Sequence, residues 1–384
     1  MFNQKIKIKP AKLYYAGDDL GLTFSEESIS YKIWSPPAQS AAIEIYADDQ
    51  GRKKVAEFEL QSSFSDTWEV EISQKFYGKY YRLKLRLHRK EYSFVDPWAK
   101  AVGTNSEYGL IVDPSRVYPP TWTHDQKVEL EDPVDAVIYE LHVKDFSASK
   151  ESGIRHQGKY TAFTERHSIN KEGMLTGIAH LKELGVTHVH LLPVYDFATV
   201  DDTDPADYNW GYDPLYYMVP EGSYASDPAN ESRIYEFKKM VKTLHSYGIG
   251  VIMDVVYNHT YHTQNSPFQK IFPNYFYRFT EDGKFANASG CGNEIASERE
   301  MMRKYIVDSL LYWSREYHID GFRFDLMSSI DRETMLLAQH KLEKENPSVL
   351  VYGEPWTALE PQLERYQQIR KGDQRGTGIS VFND

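Results

Sequence analysis

The chain has a single cysteine, Cys291, so no intrachain disulfide can form and a reducing compartment is permitted. It has no excess of basic residues. Its 44 Lys and Arg stand against 56 Asp and Glu, giving a formal net charge of −12. That balance disfavours nucleic acid or an anionic membrane as the main partner. No stretch reaches the roughly 18 consecutive apolar residues of a membrane span. The first ten residues, Met1 to Pro10, lack the apolar segment of a secretory signal. These absences predict a soluble, cytoplasmic protein. There is no low-complexity tract and no repeat beyond an alternation of strands and helices.

What is present suffices for two domains and a large core: 384 residues, 41% hydrophobic and 26% charged. Aromatic residues are plentiful, with 29 Tyr and 7 Trp. Packing accounts for most such rings, and sugar stacking needs positional support. Residues 1–120 read as all-β. Ile29–Trp34, Ala42–Tyr46 and Tyr80–Leu87 alternate with period two, and Ser35-Pro36-Pro37, Asp48–Gly51 and Tyr77-Gly78-Lys79 mark turns between them. This predicts a β-sandwich. A proline-rich stretch, Pro114 to Pro133, places a connector at 121–134. From Asp135 onward the pattern becomes strand, helix, strand, helix, which implies a parallel sheet covered by helices.

Five apolar strand cores are legible: Ala136–Tyr139, Val189–Leu192, Val251–Val256, Gly321–Leu326 and Val349–Tyr352. Between them run amphipathic stripes. Leu175, Ile178, Leu181 and Leu184 precede Gly185, and Ile234, Phe237, Val241 and Leu244 precede Gly248. A third stripe, Met302, Ile306, Leu310, Trp313 and Tyr317, follows a capping box predicted from Ser297 and Glu300. The fold class expected is α/β: an N-terminal sandwich, then a (β/α)8 barrel over 135–384 with about five of its strands present.

Active sites of such barrels lie where strands run into loops. The third strand ends in Asp254-Val255-Val256-Tyr257-Asn258-His259, the fourth in Arg323-Phe324-Asp325, the fifth in Glu354-Pro355-Trp356. An acid where a buried strand opens is poorly explained by packing. Arg323 and Asp325 are two apart and share a strand face. A lone Arg-x-Asp reads equally as a register-fixing ion pair, and a lone His259 as a hydrogen-bonded core histidine. Asp254, His259 and Glu354 at equivalent depths favour a site. The guanidinium is expected to keep Asp325 ionised as a nucleophile, while Glu354 must hold a proton as general acid.

These segments resemble, in order and spacing, the short regions of the α-amylase superfamily of retaining glycoside hydrolases: Asp254–His259, Gly321–Asp325 and Gly353-Glu354. Tyr208-Asn209-Trp210-Gly211-Tyr212-Asp213-Pro214 is similar to the signature of type I pullulanases, which cut α-1,6 branch points. Ser289–Glu294, Asp96–Ala101 and Ile138–Phe146 are similar to the same group, and 1–120 resembles its starch-binding-type sandwich. Ser328-Ser329 departs from it, a glycine being expected after Met327.

The resemblance implies the roles. Asp325 is the nucleophile and Glu354 the acid/base, with carboxyls roughly 5–5.5 Å apart. Arg323 orients Asp325, and Asp254 supports the site. His259 binds glucose hydroxyls and Tyr212 stacks on the reacting sugar. Trp210 and Trp356 are stacking candidates, although Trp210 also reads as a loop-packing residue. The partner implied is an α-glucan. Two other functions remain open: an α-1,4-acting amylase or branching enzyme, and a non-catalytic glucan-binding protein.

After Glu354 only about one helix and a loop are expected, and a third carboxylate, in the His-Asp pair such enzymes carry on a later strand, is not found before Asp384. The chain therefore reads as part of a longer enzyme and is expected to be poorly folded or inactive alone. No cofactor or catalytic metal is required. Asn258 with nearby loop oxygens is a candidate structural calcium site. Asp201-Asp202-Thr203-Asp204 reads as a solvated acidic turn, lacking the glycine and distal glutamate of a calcium loop.

Overall fold

The structure is a computed structural model that describes residues 13–383. Met1 to Pro10, on which the secretory-signal reading rests, lie outside the described residues. Two antiparallel sheets form the N-terminal sandwich. One runs Gly21–Phe24, Ser28–Trp34, Thr67–Ser73, Gln61–Ser62. The other runs Lys54–Glu59, Ala38–Tyr46, Tyr80–Leu87, Lys90–Phe94, with Gly109–Leu110 also pairing with Tyr80–Leu87. Alternation decides what is buried: Ile29, Tyr31 and Ile33 from one sheet meet Ile43, Ile45, Leu83 and Leu85 from the other. The Asp96-Pro97-Trp98 segment supplies a buried clasp. Asp96 Oδ2 accepts from the Tyr31 and Tyr81 hydroxyls, each at 2.9 Å, which lie on opposite sheets.

The sandwich docks firmly on the C-terminal part of the chain. The Trp34 indole lies 5.4–6.2 Å from the rings of Phe272, Tyr275 and Phe276. Ser35 Oγ donates to the Ile271 carbonyl at 2.7 Å, and the Tyr305 hydroxyl to that of Pro97 at 2.8 Å. Both parts share one apolar core.

From Ile138 the chain builds a parallel sheet in sequence order: Ile138–Leu141, His188–Leu191, Gly250–Val255, Gly321–Phe324, Leu350–Gly353, Ser380–Val381. Helices Gly177–Leu184, Ser232–Ser246, Glu300–Glu316 and Arg332–Glu345 connect them. An inserted hairpin, Tyr195–Phe197 with Pro214–Pro220, carries a long loop between its strands.

Four local expectations need correction. Among the described residues the sheet has six strands, not five; Ser380–Val381 is too short to show any period. No α-helix follows Glu354 among the described residues, only turns and a 3-10 turn at Arg365–Gln367. The predicted capping box does not form: the third long helix starts at Glu300 after Arg299, without a side-chain cap. Ser297 Oγ instead receives the Asp331 N–H at 2.8 Å and Arg278 at 3.0 Å, so tertiary partners outcompete the local motif. Leu175 and Leu184 are exposed, and only Ile178 and Leu181 carry the inner face of the first helix. Gly185 and Gly248 do adopt the left-handed conformation that closes a helix.

Residues 121–134 are clamped at the N-terminal ends of the sheet strands, opposite the ends that carry the acids. Buried His245, at the end of the Ser232–Ser246 helix, faces Asp125 with Nδ1 at 2.7 Å and Asp320 with Nε2 at 2.9 Å. His318 also reaches Asp125 at 2.8 Å and stacks on Trp122. Burial alone would lower the His245 imidazole, but its hydrogen bonds to Asp125 and Asp320, with their charges, outweigh it and push it up to about 9. His188 and Lys127 also face Asp320. A raised histidine stabilises the fold fully below about 6.5 and loses that contribution as pH rises through about 9. Thermal unfolding is therefore expected to show an alkaline loss on the order of 3 kcal/mol, absent in His245→Gln. Equal pH dependence in both proteins would refute the assignment.

Candidate active site

Register brings the site together. Asp254 pairs with Arg323, and Arg323 with Tyr352, so three neighbouring strands present these residues at one depth. The ladder continues one step further. The Asp325 N–H donates to Val255 O and the Glu354 N–H to Phe324 O, both at 3.1 Å. Both acids are thus positioned by backbone pairing. Phe322 and Phe324 are buried on the opposite face of the fourth strand.

Arg323 links the acids. Its Nη1 lies 3.0 Å from both Asp254 oxygens and 3.2 Å from Asp325 Oδ1, and its Nη2 lies 2.7 Å from Glu354 Oε1. A planar guanidinium spreads its donors over two terminal nitrogens in a fixed fork that spans these three carboxylates; a lysine ammonium has all three of its donors on one nitrogen. The Asp254 and Arg323 side chains are 0% and 8% exposed, against 15% for Asp325 and 17% for Glu354, so only the latter two acids open toward a ligand. Each has a second donor. Asn258 Nδ2 reaches Asp325 Oδ2 at 2.7 Å, and the Leu326 N–H reaches Glu354 Oε2 at 2.9 Å. Leu326 has φ 42°, a left-handed conformation that costs a residue with a Cβ.

Electrostatics modify the expectation for Asp325. Burial, aided by the Asp254 charge, pushes its carboxyl up to about 6 against the pull of Arg323. The guanidinium is divided among three acids and does not outweigh burial. The carboxylate therefore predominates only above about pH 6. Glu354, expected to hold a proton, accepts hydrogen bonds on both oxygens.

The other expected residues divide between wall and floor. The Tyr212 hydroxyl donates to Asp254 Oδ2 at 2.7 Å, with its ring half-buried. His259 is buried, and both ring nitrogens meet protein oxygens: Asn258 Oδ1 at 2.6 Å and Tyr212 O at 3.0 Å. Burial pulls its imidazole down to about 4, leaving a neutral ring with one N–H for two acceptors. Contact between His259 and a sugar would have to displace one of them. Trp210 and Trp356 are 60% and 39% exposed, so core packing does not account for Trp210. The Trp210 indole donates to the Tyr208 hydroxyl at 3.0 Å, which donates to Asp145 at 2.6 Å. Ser328 and Ser329 are buried behind the site; Ser328 Oγ donates to Ile369 O at 2.6 Å.

Sequence reasoning missed three neighbours. Asn258, expected at a calcium site, has its amide committed to Asp325 and His259. Glu140 and His190 converge on Asp254, their ligand atoms lying within 4.8 Å. In the sequence both read only as strand residues; their pairing in register puts them on the site's side of the sheet. This trio suits calcium poorly, since one member is an imidazole and Asp254 already faces the Arg323 guanidinium. Asp202 of the acidic turn is buried against Arg233 at 2.7 Å and is not solvated.

Comparisons with known proteins converge. The family model for the alpha amylase catalytic domain matches residues 141–284, and that for carbohydrate-binding module 48 (isoamylase N-terminal domain) matches 19–99. The pullulanase of Bacillus subtilis (strain 168) is 42% identical over 97% of this chain and 51% of its own length. Pullulanase 1, chloroplastic, of Arabidopsis thaliana is 34% identical over 97% of this chain and 44% of its own. Among solved structures, pullulanase from Bacillus acidopullulyticus superposes with a TM-score of 0.94 at 43% identity, over 97% of this chain and 46% of that one. Pullulanase from Paenibacillus barengoltzii, in complex with maltohexaose and alpha-cyclodextrin, gives 0.93 at 43%, over 96% and 58%. The chain thus spans 51% and 44% of these curated relatives, about half of their length. Sandwich, open parallel sheet and the acids at its strand ends are matched almost end to end by pullulanases of the α-amylase superfamily, to which this chain is similar over 97% of its length.

Proposed function

We propose that the whole protein is a debranching glycosidase that hydrolyses α-1,6-glucosidic bonds in pullulan, limit dextrins or glycogen with retention of configuration. The observation that carries this reading is the Arg323 fork, which holds two partly open acids, Asp325 and Glu354, at the ends of adjacent parallel strands. Asp325 attacks the anomeric carbon as Glu354 gives its proton to the departing oxygen. Glu354 then takes a proton from water, which releases the sugar from Asp325. Arg323 and Asp254 orient the pair, Tyr212, Trp210 and Trp356 offer faces for sugar rings, and His259 lines the site.

In the same reading residues 1–120 form a starch-binding-type module, 121–134 a connector and 135–384 part of the catalytic barrel. The partner is an α-glucan and the setting the cytoplasm; no helix among the described residues is long and apolar enough to cross a membrane. The carboxylate chemistry needs no metal, so a calcium ion would serve structure alone.

An α-1,4-acting amylase or branching enzyme would use the same two acids. The 198–213 loop with its exposed Trp210 favours α-1,6 specificity, through the Tyr208–Pro214 resemblance. Digestion of pullulan by the full-length enzyme decides between them. Maltotriose is expected as the product; panose, a branched product or no product would refute the proposal.

A further inference from the structure

The loop that carries Trp210 and Tyr212 is held at the end of the first sheet strand, where His142 Nε2 meets Asn209 O at 2.9 Å and Lys144 donates to Pro205 O at 2.7 Å, and it is held a second time from the sandwich. It joins the hairpin strands Tyr195–Phe197 and Pro214–Pro220, and its far side meets a turn of the sandwich, residues 103–106. Asn105 and Asp202 bond reciprocally. The Asn105 N–H donates to Asp202 Oδ2, and the Asp202 N–H to Asn105 Oδ1, both at 2.8 Å. Asn105 Nδ2 also reaches Asp201 Oδ1 at 3.3 Å. Buried Arg233 locks the joint, touching Gly103 O at 2.6 Å, Asp202 Oδ2 at 2.7 Å and Asp196 Oδ1 at 3.0 Å.

The turn is strained for this contact. Asn105 and Ser106 are consecutive non-glycine residues at φ 52° and 58°. Asn105 spends its side chain on the loop and none of it on the sandwich's own strands. On the loop, Asp201 N donates to Asp207, and Asn209 braces Ala198 O and Asp213. The Tyr212 hydroxyl then reaches Asp254. A continuous set of hydrogen bonds and chain connections thus runs from the sandwich turn to the acid cluster.

We propose that the sandwich serves as a strut for the sugar-facing loop, with Asn105 as a positioning residue that sets α-glucan affinity. This rests on the function proposed above. In the unliganded state the strut keeps the 198–213 loop in its binding conformation, so glucan does not have to order it on arrival.

The test uses Asn105→Asp in the full-length enzyme. Aspartate tolerates the left-handed turn, so the fold is kept. It removes the donor to Asp201 and puts a second carboxylate beside Asp202. Hydrogen exchange without substrate is expected to accelerate about tenfold in amides of 198–213 and not in 250–255. KM for pullulan is expected to rise about fivefold with kcat little changed. The swap Asn105→Asp with Asp201→Asn restores a donor–acceptor pair and is expected to recover both readouts. Unchanged exchange in the loop, or faster exchange with unchanged KM, overturns the proposal. A failure of the underlying function would appear instead in the parent enzyme, as no hydrolysis of pullulan whatever the exchange rates.

Discussion

Asp325→Asn in the full-length enzyme is expected to lower kcat on pullulan by about four orders of magnitude while leaving maltohexaose binding within about threefold. The amide is nearly isosteric with the carboxylate, and its one oxygen would still accept from Arg323 or Asn258, with one of these two donors left unpaired. It cannot form the glycosyl ester, so the loss falls on the chemical step. Asp325 is 15% exposed, and its replacement takes little contact area from a bound sugar. Turnover by pullulan digestion and binding by calorimetry separate the two effects. Retention of more than about one-tenth of parental kcat would sink the nucleophile assignment.

The second large effect belongs to Arg323. Arg323→Lys keeps the charge and loses the fork, so one ammonium cannot satisfy Asp254, Asp325 and Glu354 together. Fully buried Asp254 is then left short of a partner. A loss of about a thousandfold in kcat/KM is expected. The pH profile gives a sharper readout. The parent kcat/KM should fall as pH drops through about 6, because the proposed nucleophile Asp325 must be a carboxylate and burial pushes its carboxyl up to there. A single ammonium drawn to buried Asp254 leaves Asp325 with a weaker positive neighbour against burial, although Asn258 still donates to it, so the acid limb of Arg323→Lys should move to higher pH. An unmoved limb would show that Arg323 does not govern Asp325.

Strong local patterning made much of the fold legible in the sequence. The period-two runs at Ile29–Trp34 and Tyr80–Leu87 are strands in the observed sandwich, and the apolar runs ending in Asp254, Asp325 and Glu354 are parallel strands. Strand periodicity alone places Arg323 beside Asp325. Where tertiary contacts compete with local signals, the pattern misleads. Ser297 is spent on Asp331 and Arg278, not on a helix cap. Ser380–Val381, the sixth strand, is recognisable only from its pairing with Tyr352 and Gly353. Asn258 sits next to His259 in sequence, yet only the geometry shows it donating to Asp325. The raised Asp325 carboxyl depends on burial and on a third acid, Asp254, neither of which a two-residue motif encodes.

The Trp34 contact with Phe272, Tyr275 and Phe276 bears on how the molecule comes apart. A large indole with no solvent exposure lies across the seam between the sandwich and the sheet domain. Cutting the chain near residue 120 would bare that ring and orphan the Ser35 hydroxyl that now reaches Ile271. The two halves are therefore joined in melting as well as in sequence: heat should dissolve them in one cooperative step, and the sandwich is not a detachable module.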